Sequence, residues 1–237
     1  MLSLHNLKKS IKGKKIVDDI SFDIQEGTIN GLLGPNGAGK TTTFYLIAGL
    51  IKLDQGHIHF DKQDISRLPM HRRSKMGIKY LPQEPSIFQN LTVYQNLLGL
   101  AEISFIDKVQ IDNFIERSIE EFNLSNILNL KGRQLSGGQR RKVEIARTLA
   151  AEPKVILLDE PFAGIDPMAI EEIKSVLTSL KEKKIGILIT DHNVREALEI
   201  CDKAIVINNG AIIAQGPKNE LINNDIVKKV YLGNMYS

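Results

Sequence analysis

Tryptophan is absent and cysteine occurs once, as Cys201, in a chain of 237 residues. A single thiol excludes an internal disulfide and fits a reducing compartment. Cys201 lies in an apolar stretch, which suits a small buried hydrophobe better than a nucleophile. Long apolar runs are missing as well. None approaches the roughly 18 residues of a membrane-spanning helix. The N-terminus reaches Asp18 without an apolar run of signal-peptide length. If the protein works at a membrane, another chain must supply the span. Charge of one sign is not in excess either. The 31 Lys and Arg against 28 Asp and Glu leave a formal +3, too little to argue for a nucleic-acid partner. The lysine-rich KKSIKGKK (Lys8 to Lys15) reads as a solvated hairpin face, with an anionic membrane surface as the other option. No internal repeat, low-complexity tract or flexible linker occurs.

What remains is 42% hydrophobic and 25% charged, ordinary for a globular chain long enough for one domain with a subdomain. SLHNL and KIVDDISFDI alternate as antiparallel strands at one edge. TINGLLG is a short strand running into glycines, followed by a helix with Phe44, Ile47, Ala48 and Ile51 at helical spacing. GHIHF and GIKYLP are further strands, and Thr92 to Ala151 is mainly helical. KVILLDEP and IGILIT are buried-type strands, Pro167 opens a helix, and KAIVIN pairs with AIIAQG across NNG. The expected fold is α/β: a parallel-sheet core, an antiparallel β edge and a helical insert. The expected division is one domain over 1–237, with a core of 1–86 and 154–237 and a helical subdomain of 87–153.

GPNGAGKT has the spacing G-x-x-x-x-G-K-S/T between a predicted strand and a predicted helix. That context marks a phosphate-binding loop of Gly34, Pro35, Asn36, Gly37, Ala38, Gly39, Lys40, Thr41 and Thr42. Glycines let backbone N–H groups wrap a triphosphate, and the positive helix end favours the charge. Lys40 reaches the outer phosphates, and the Thr41 hydroxyl suits Mg²⁺. A plain glycine turn would not need Lys-Thr in this register.

Asp159 ends the VILLD strand, where a carboxylate holds Mg²⁺ directly or through water. Glu160 stands next to it. Adjacent carboxylates repel unless a cation or a task offsets the cost, so Glu160 is read as orienting and deprotonating the attacking water. The plainer reading is that both simply begin a loop. Gly34, Gln83, Asp159 and His192 all fall just past predicted strands. In a parallel sheet they converge on the ligand-binding carboxyl edge. His192 is read as a contact to the terminal phosphate, against a turn residue before an Asn193–Glu196 capping box.

LSGGQRRK opens another helix. Ser136 and Gln139 suit a capping box, but Gly137 and Gly138 in the first turn suit close approach of a phosphate to backbone. That makes a second phosphate grip in one chain.

GPNGAGKT, the Gln83 loop, LSGGQ, VILLDE, AGID and His192 occur here in the order of an ABC-type ATPase subunit, which the sequence resembles over nearly its whole length. The resemblance implies a P-loop NTPase core that hydrolyses ATP with Mg²⁺. It implies a homodimer facing head to tail, each ATP sandwiched between the glycine loop of one copy and LSGGQ of the other. Ser136, Gly137, Gly138 and Gln139 then touch the ATP held by the partner, and Asp166 lies in the loop crossing the interface. Gln83 senses Mg²⁺ and the attacking water. One departure stands out. Where the family stacks adenine on an aromatic, this chain has Ile11, which offers area but no π-face. Val17 is expected to help cover the base.

YLPQEPSIFQNLTVYQNL, LLDEPFAGIDP, ITDHNVREAL and VKKVYLG further resemble the ATPase subunits of lipopolysaccharide exporters. This implies a subunit peripheral on the cytoplasmic face of the inner membrane. Two integral membrane subunits would dock near Phe88 and handle the lipid cargo. Phe88 as core of the insert is the other reading. Branched-chain amino-acid importer ATPases share IFxNLTVxxNL segments and are the alternative, and a non-transport ABC protein a more distant one. Lys79 stands where the lipid-export subunits commonly have glycine. If the hydrolytic reading is right, Glu160→Gln lowers ATP turnover by about 10²- to 10⁴-fold, the usual share of a general base; unchanged turnover in a phosphate-release assay would sink it.

Overall fold

The computed structural model describes residues 1–233. The chain begins with β1 (Leu2–Ile11), β2 (Lys14–Ile24), β3 (Ile29–Leu33), α1 (Lys40–Ala48), β4 (Gln55–Phe60), β5 (Gln63–Asp64), α2 (Met70–Lys75) and β6 (Ile78–Leu81). A helical stretch follows, with α3 (Val93–Ser104), α4 (Lys108–Glu121) and α5 (Gly137–Thr148). The chain then returns through β7 (Val155–Asp159), α6 (Pro167–Glu182), β8 (Gly186–Thr190), α7 (Val194–Ile200), β9 (Lys203–Asn208) and β10 (Ala211–Gly216).

Strands β1, β2, β4 and β5 form an antiparallel sheet in the order β2-β1-β4-β5. Lys12 and Gly13 turn the first hairpin with φ of 50° and 76°, as a two-residue loop of the type I′ kind requires. The Lys8–Lys15 stretch is the end of this hairpin, exposed from Ser10 to Lys15. The second sheet has the order β10-β9-β3-β8-β7-β6. Its pairs from β6 through β9 are parallel, and only β10 runs against them, returning across Asn209–Gly210. VILLD and GILIT are buried at every position, as strands covered on both faces must be. One face packs Leu32, Leu157 and Leu188 against α1 and the antiparallel sheet. The other packs Leu33, Ile156 and Ile189 against α5 and α6.

Helix ends carry much of the local logic. Arg73 of α2 is 2% exposed and donates to Leu46 O and Ile47 O at 2.7 Å each, filling orphan carbonyls at the end of α1. Pro167 sits in the first turn of α6, where the Asp166 side chain accepts from Ala169 N at 3.0 Å. Ser136 and Gln139 form both bonds of a capping box on α5, at 3.2 and 3.0 Å. The expected Asn193–Glu196 box does not form: the Asn193 side chain makes no cap bond. Asp191, two residues upstream, instead accepts from Asn193 N at 2.7 Å and shapes the turn.

Gly138 has a packing reason of its own. A Cβ there would lie 2.3 Å from Ala169 Cβ, so α5 approaches α6 only because that atom is missing. The sequence reading gave this glycine to a phosphate alone, and the helix crossing adds a second demand. Gly138→Ala therefore costs about 1–3 kcal/mol of overpacking. Urea unfolding reads this directly, and an unchanged midpoint would contradict it.

Candidate active site at the carboxyl edge of the parallel sheet

The Gly34–Gly39 loop joins β3 to α1 at the carboxyl edge of the sheet. Its glycines are forced. A Cβ on Gly34 (φ 149°) would lie 2.1 Å from Ile207 O, and one on Gly39 (φ 106°) 2.5 Å from Ile16 O. Lys40 is buried and arches over the loop, donating to Gly34 O at 2.7 Å and Pro35 O at 3.0 Å. Burial pushes its ammonium down, while Glu160 and Asp159 oppose that. The arch places a cation above the backbone amides at the positive end of α1, a cradle for an anion with several oxygens.

Asp159 ends β7 and is buried. Burial raises its carboxyl pKa, against the pull of the Tyr80 hydroxyl, Arg141 and Lys40. The Tyr80 hydroxyl donates to Asp159 Oδ2 at 3.1 Å. Glu160 adopts a left-handed backbone, φ 47°, which costs a non-glycine residue about 1–3 kcal/mol. Its N–H donates to Thr190 O at 2.8 Å, fixing the turn to β8. Its carboxylate meets His192 Nε2 at 2.7 Å. Burial raises the Glu160 pKa; His192 opposes this, and Asp159 and Asp191 add to it. A raised carboxyl beside a ring nitrogen suits proton exchange with water. Asp191 is buried and spends its oxygens on Phe162 N and Asn193 N, holding the loops after β7 and β8.

Gln83 is exposed just beyond β6 and shares a cleft of about 340 Å³ with Gly137, Arg141 and Glu160. Parallel strands thus bring the glycine loop, Gln83, Asp159, Glu160 and His192 to one edge. Ile11 stands exposed at the end of β1. Val17 does not do what was expected of it. It is wholly buried in the core under β2, with no surface to offer a base.

The sequence reading missed what holds the Gln83 loop. Arg141 on α5, 5% exposed, donates to Pro82 O at 2.9 Å, Asp159 O at 3.0 Å and Glu144 Oε2 at 3.3 Å. Glu144 Oε1 accepts from Ser86 N at 2.6 Å and Ile87 N at 3.2 Å. Arg147 donates to Ser86 Oγ at 2.8 Å. The available signal was position: Arg141 and Glu144 are interleaved with Val143, Ile145 and Ala146 in the buried part of α5.

The donor set near Asp159 is hard. The candidate donors from the sequence, the Asp159 carboxylate, the Thr41 hydroxyl and the Gln83 amide, are all oxygen groups, and among the described residues no three His, Cys, Asp or Glu side chains group to hold a metal. That chemistry suits Mg²⁺ shared with phosphate oxygens better than a protein-only cage.

A glycine loop, a strand-end carboxylate pair and a histidine on one edge define a nucleoside-triphosphate hydrolase. The family model for ABC transporters matches residues 17–163, and the chain belongs to that family as an ATP-binding ATPase. Among curated relatives, it is similar to the lipopolysaccharide export system ATP-binding protein LptB of Haemophilus influenzae, at 52% identity over 100% of this chain and 98% of that one. LptB of Escherichia coli K12 is 48% identical over 98% of this chain and 97% of its own. Among solved structures, the ADP conformation of an ATP-binding cassette of an ABC transporter is 31% identical, covers 98% of both chains and has a TM-score of 0.87. A nucleotide-free cassette is 30% identical with a TM-score of 0.87, covering 98% of this chain and 99% of its own.

Replacing Lys40 by alanine removes charge-assisted bonds to the outer phosphates, so ATP affinity should fall about tenfold or more. Calorimetric titration checks this, and an unchanged dissociation constant would contradict the cradle.

Proposed function

We propose that this chain is the ATP-hydrolysing motor that powers lipopolysaccharide extraction from the inner membrane and export toward the outer membrane. The supporting observation is near-complete coverage at 52% and 48% identity by two lipopolysaccharide-export ATP-binding proteins. Among the described residues no helix is long and apolar enough to cross a membrane. By likeness to the export-system ATP-binding proteins, the proposed place of work is the cytoplasmic face of the inner membrane, beneath two integral membrane subunits.

The geometry supports a division of roles. Backbone amides of Gly34–Gly39 and Lys40 bind the phosphates. Thr41, Asp159 and Gln83 would hold Mg²⁺, which would supply positive charge beside the phosphoryl oxygens. Glu160 orients the attacking water and takes its proton, and His192 steadies Glu160 and the terminal phosphate. Catalysis is then positioning and charge stabilisation. Two copies face head to tail, so that Ser136, Gly137, Gly138 and Gln139 of one close on the ATP of the other. Asp166 lies between them. ATP closes the dimer and hydrolysis reopens it. Ile11 lies beside the adenine as an aliphatic surface.

The transport link is proposed at a groove of about 290 Å³ lined by Met70, Ile78, Tyr80, Phe88, Leu100 and Arg147. Residues 87–153, the proposed helical subdomain, supply one wall. Phe88 is 54% exposed, which rules against a core role, whereas Ile87 beside it is buried. The Arg147 guanidinium lies over the Phe88 ring at 5.5 Å and holds it in place. An exposed aromatic in an apolar groove is a binding anchor, worth about 2 kcal/mol or more to a partner helix. Phe88→Ala should leave ATP binding intact and reduce co-purification with the membrane subunits at least tenfold. Full recovery of the complex refutes the docking site. Recovery of amino-acid permease subunits instead refutes the cargo assignment.

A further inference from the structure

Tyr80 joins two places that the sequence kept apart. It sits on β6, the edge strand of the parallel sheet. Its ring meets Tyr45 edge-on at 6.0 Å and Phe44 at 6.5 Å, both on α1 directly behind the phosphate loop. The side chain also lines the groove that holds Phe88 and Arg147. Its hydroxyl reaches the other way and donates to Asp159 Oδ2 at 3.1 Å. A phenol carries its proton at neutral pH, so the hydroxyl is the donor in this bond. Asp159 is buried, and no second side-chain donor to its carboxylate is present among the described residues.

We propose that Tyr80 is a positioning residue that aims the Asp159 carboxylate at the metal bound with ATP, and that makes this aim respond to what occupies the groove. The physical reason is economy of contact. One residue lines the groove and sets its hydroxyl on the carboxylate. A partner segment that presses on the ring moves the hydroxyl with it, because the phenol has no bend between the two. Metal-ligating carboxylates depend on such outer hydrogen bonds for orientation, and losing one typically costs about 10- to 100-fold in metal affinity. By linkage, whatever shifts Tyr80 from the groove shifts metal affinity, and the metal shifts groove affinity by the same factor. The second half of the proposal rests on the docking site proposed above; the first half does not.

Tyr80→Phe keeps the ring, its packing on Phe44 and Tyr45 and the groove wall, and deletes only the donor. The probe is Mn²⁺, counted as free ion by paramagnetic resonance, titrated into the chain loaded with a non-hydrolysable ATP analogue. The variant should bind Mn²⁺ about tenfold or more weakly, with metal-free binding of the analogue and the melting temperature unchanged. Superimposable Mn²⁺ titrations overturn the positioning role. So does an equal loss of metal-free nucleotide binding, since that indicates general damage.

The second arm repeats the titration on the complex purified with its membrane subunits. Wild-type Mn²⁺ affinity should differ between complex and isolated chain, and that difference should vanish in Tyr80→Phe. No difference in the wild type, or one that survives the substitution, overturns the coupling half. Failure of the docking site itself shows separately, as full recovery of the Phe88→Ala complex.

Discussion

A buried guanidinium holds the site together. Arg141 is taken out of water, which pulls its pKa down and carries a penalty of several kcal/mol unless each N–H finds a partner. Its two terminal nitrogens find Pro82 O, Asp159 O and Glu144, while Nε has no partner among the described residues. Those partners come from the loop after β6, the end of β7 and the helix opened by LSGGQ. One side chain therefore fixes the distance between the Gln83 loop, the strand-end carboxylates and the second phosphate grip. Glu144 extends the tie by holding Ser86 and Ile87, and Arg147 extends it again to Phe88. Helix α5 thus reaches from the proposed dimer contact to the proposed membrane contact.

Charge arrangement follows from this frame. Asp159, Glu160 and Asp191 crowd one edge, and burial raises all three. Lys40 and Arg141 offset part of the repulsion without neutralising it. The left-handed backbone of Glu160 adds local strain, held in place by the bond from its N–H to Thr190 O.

Much of this was legible in the sequence because the chemistry constrains neighbours along the chain. A phosphate loop needs its glycines and Lys-Thr in one short run. A buried parallel strand reads as VILLD, and its last residue is the carboxylate. The β9–β10 hairpin turn also announced itself, as NNG. The parts that escaped depend on tertiary contact. Arg141 and Glu144 look like an ordinary charged helix face until the loop they hold is folded over them. Gly138 owes part of its identity to Ala169, which no local pattern shows. Val17 was expected beside the base, but it joins Ile20, Phe22 and Ile24 on the inward face of β2, a packing choice set by the antiparallel sheet against the core. The Asn193–Glu196 box lacks its return bond because Asp191, two residues upstream, accepts from the Asn193 N–H that Glu196 would have taken.

The carboxyl edge and the proposed docking groove share a wall. Tyr80 faces both, and Phe88 is pinned by a helix that also anchors the Gln83 loop. The most direct measurement of the central claim is reconstitution of this chain with its membrane subunits in vesicles loaded with lipopolysaccharide. The account predicts that ATP drives lipid transfer to an acceptor and that Glu160→Gln stops it. ATP hydrolysis in the assembled complex without any lipid transfer would contradict it.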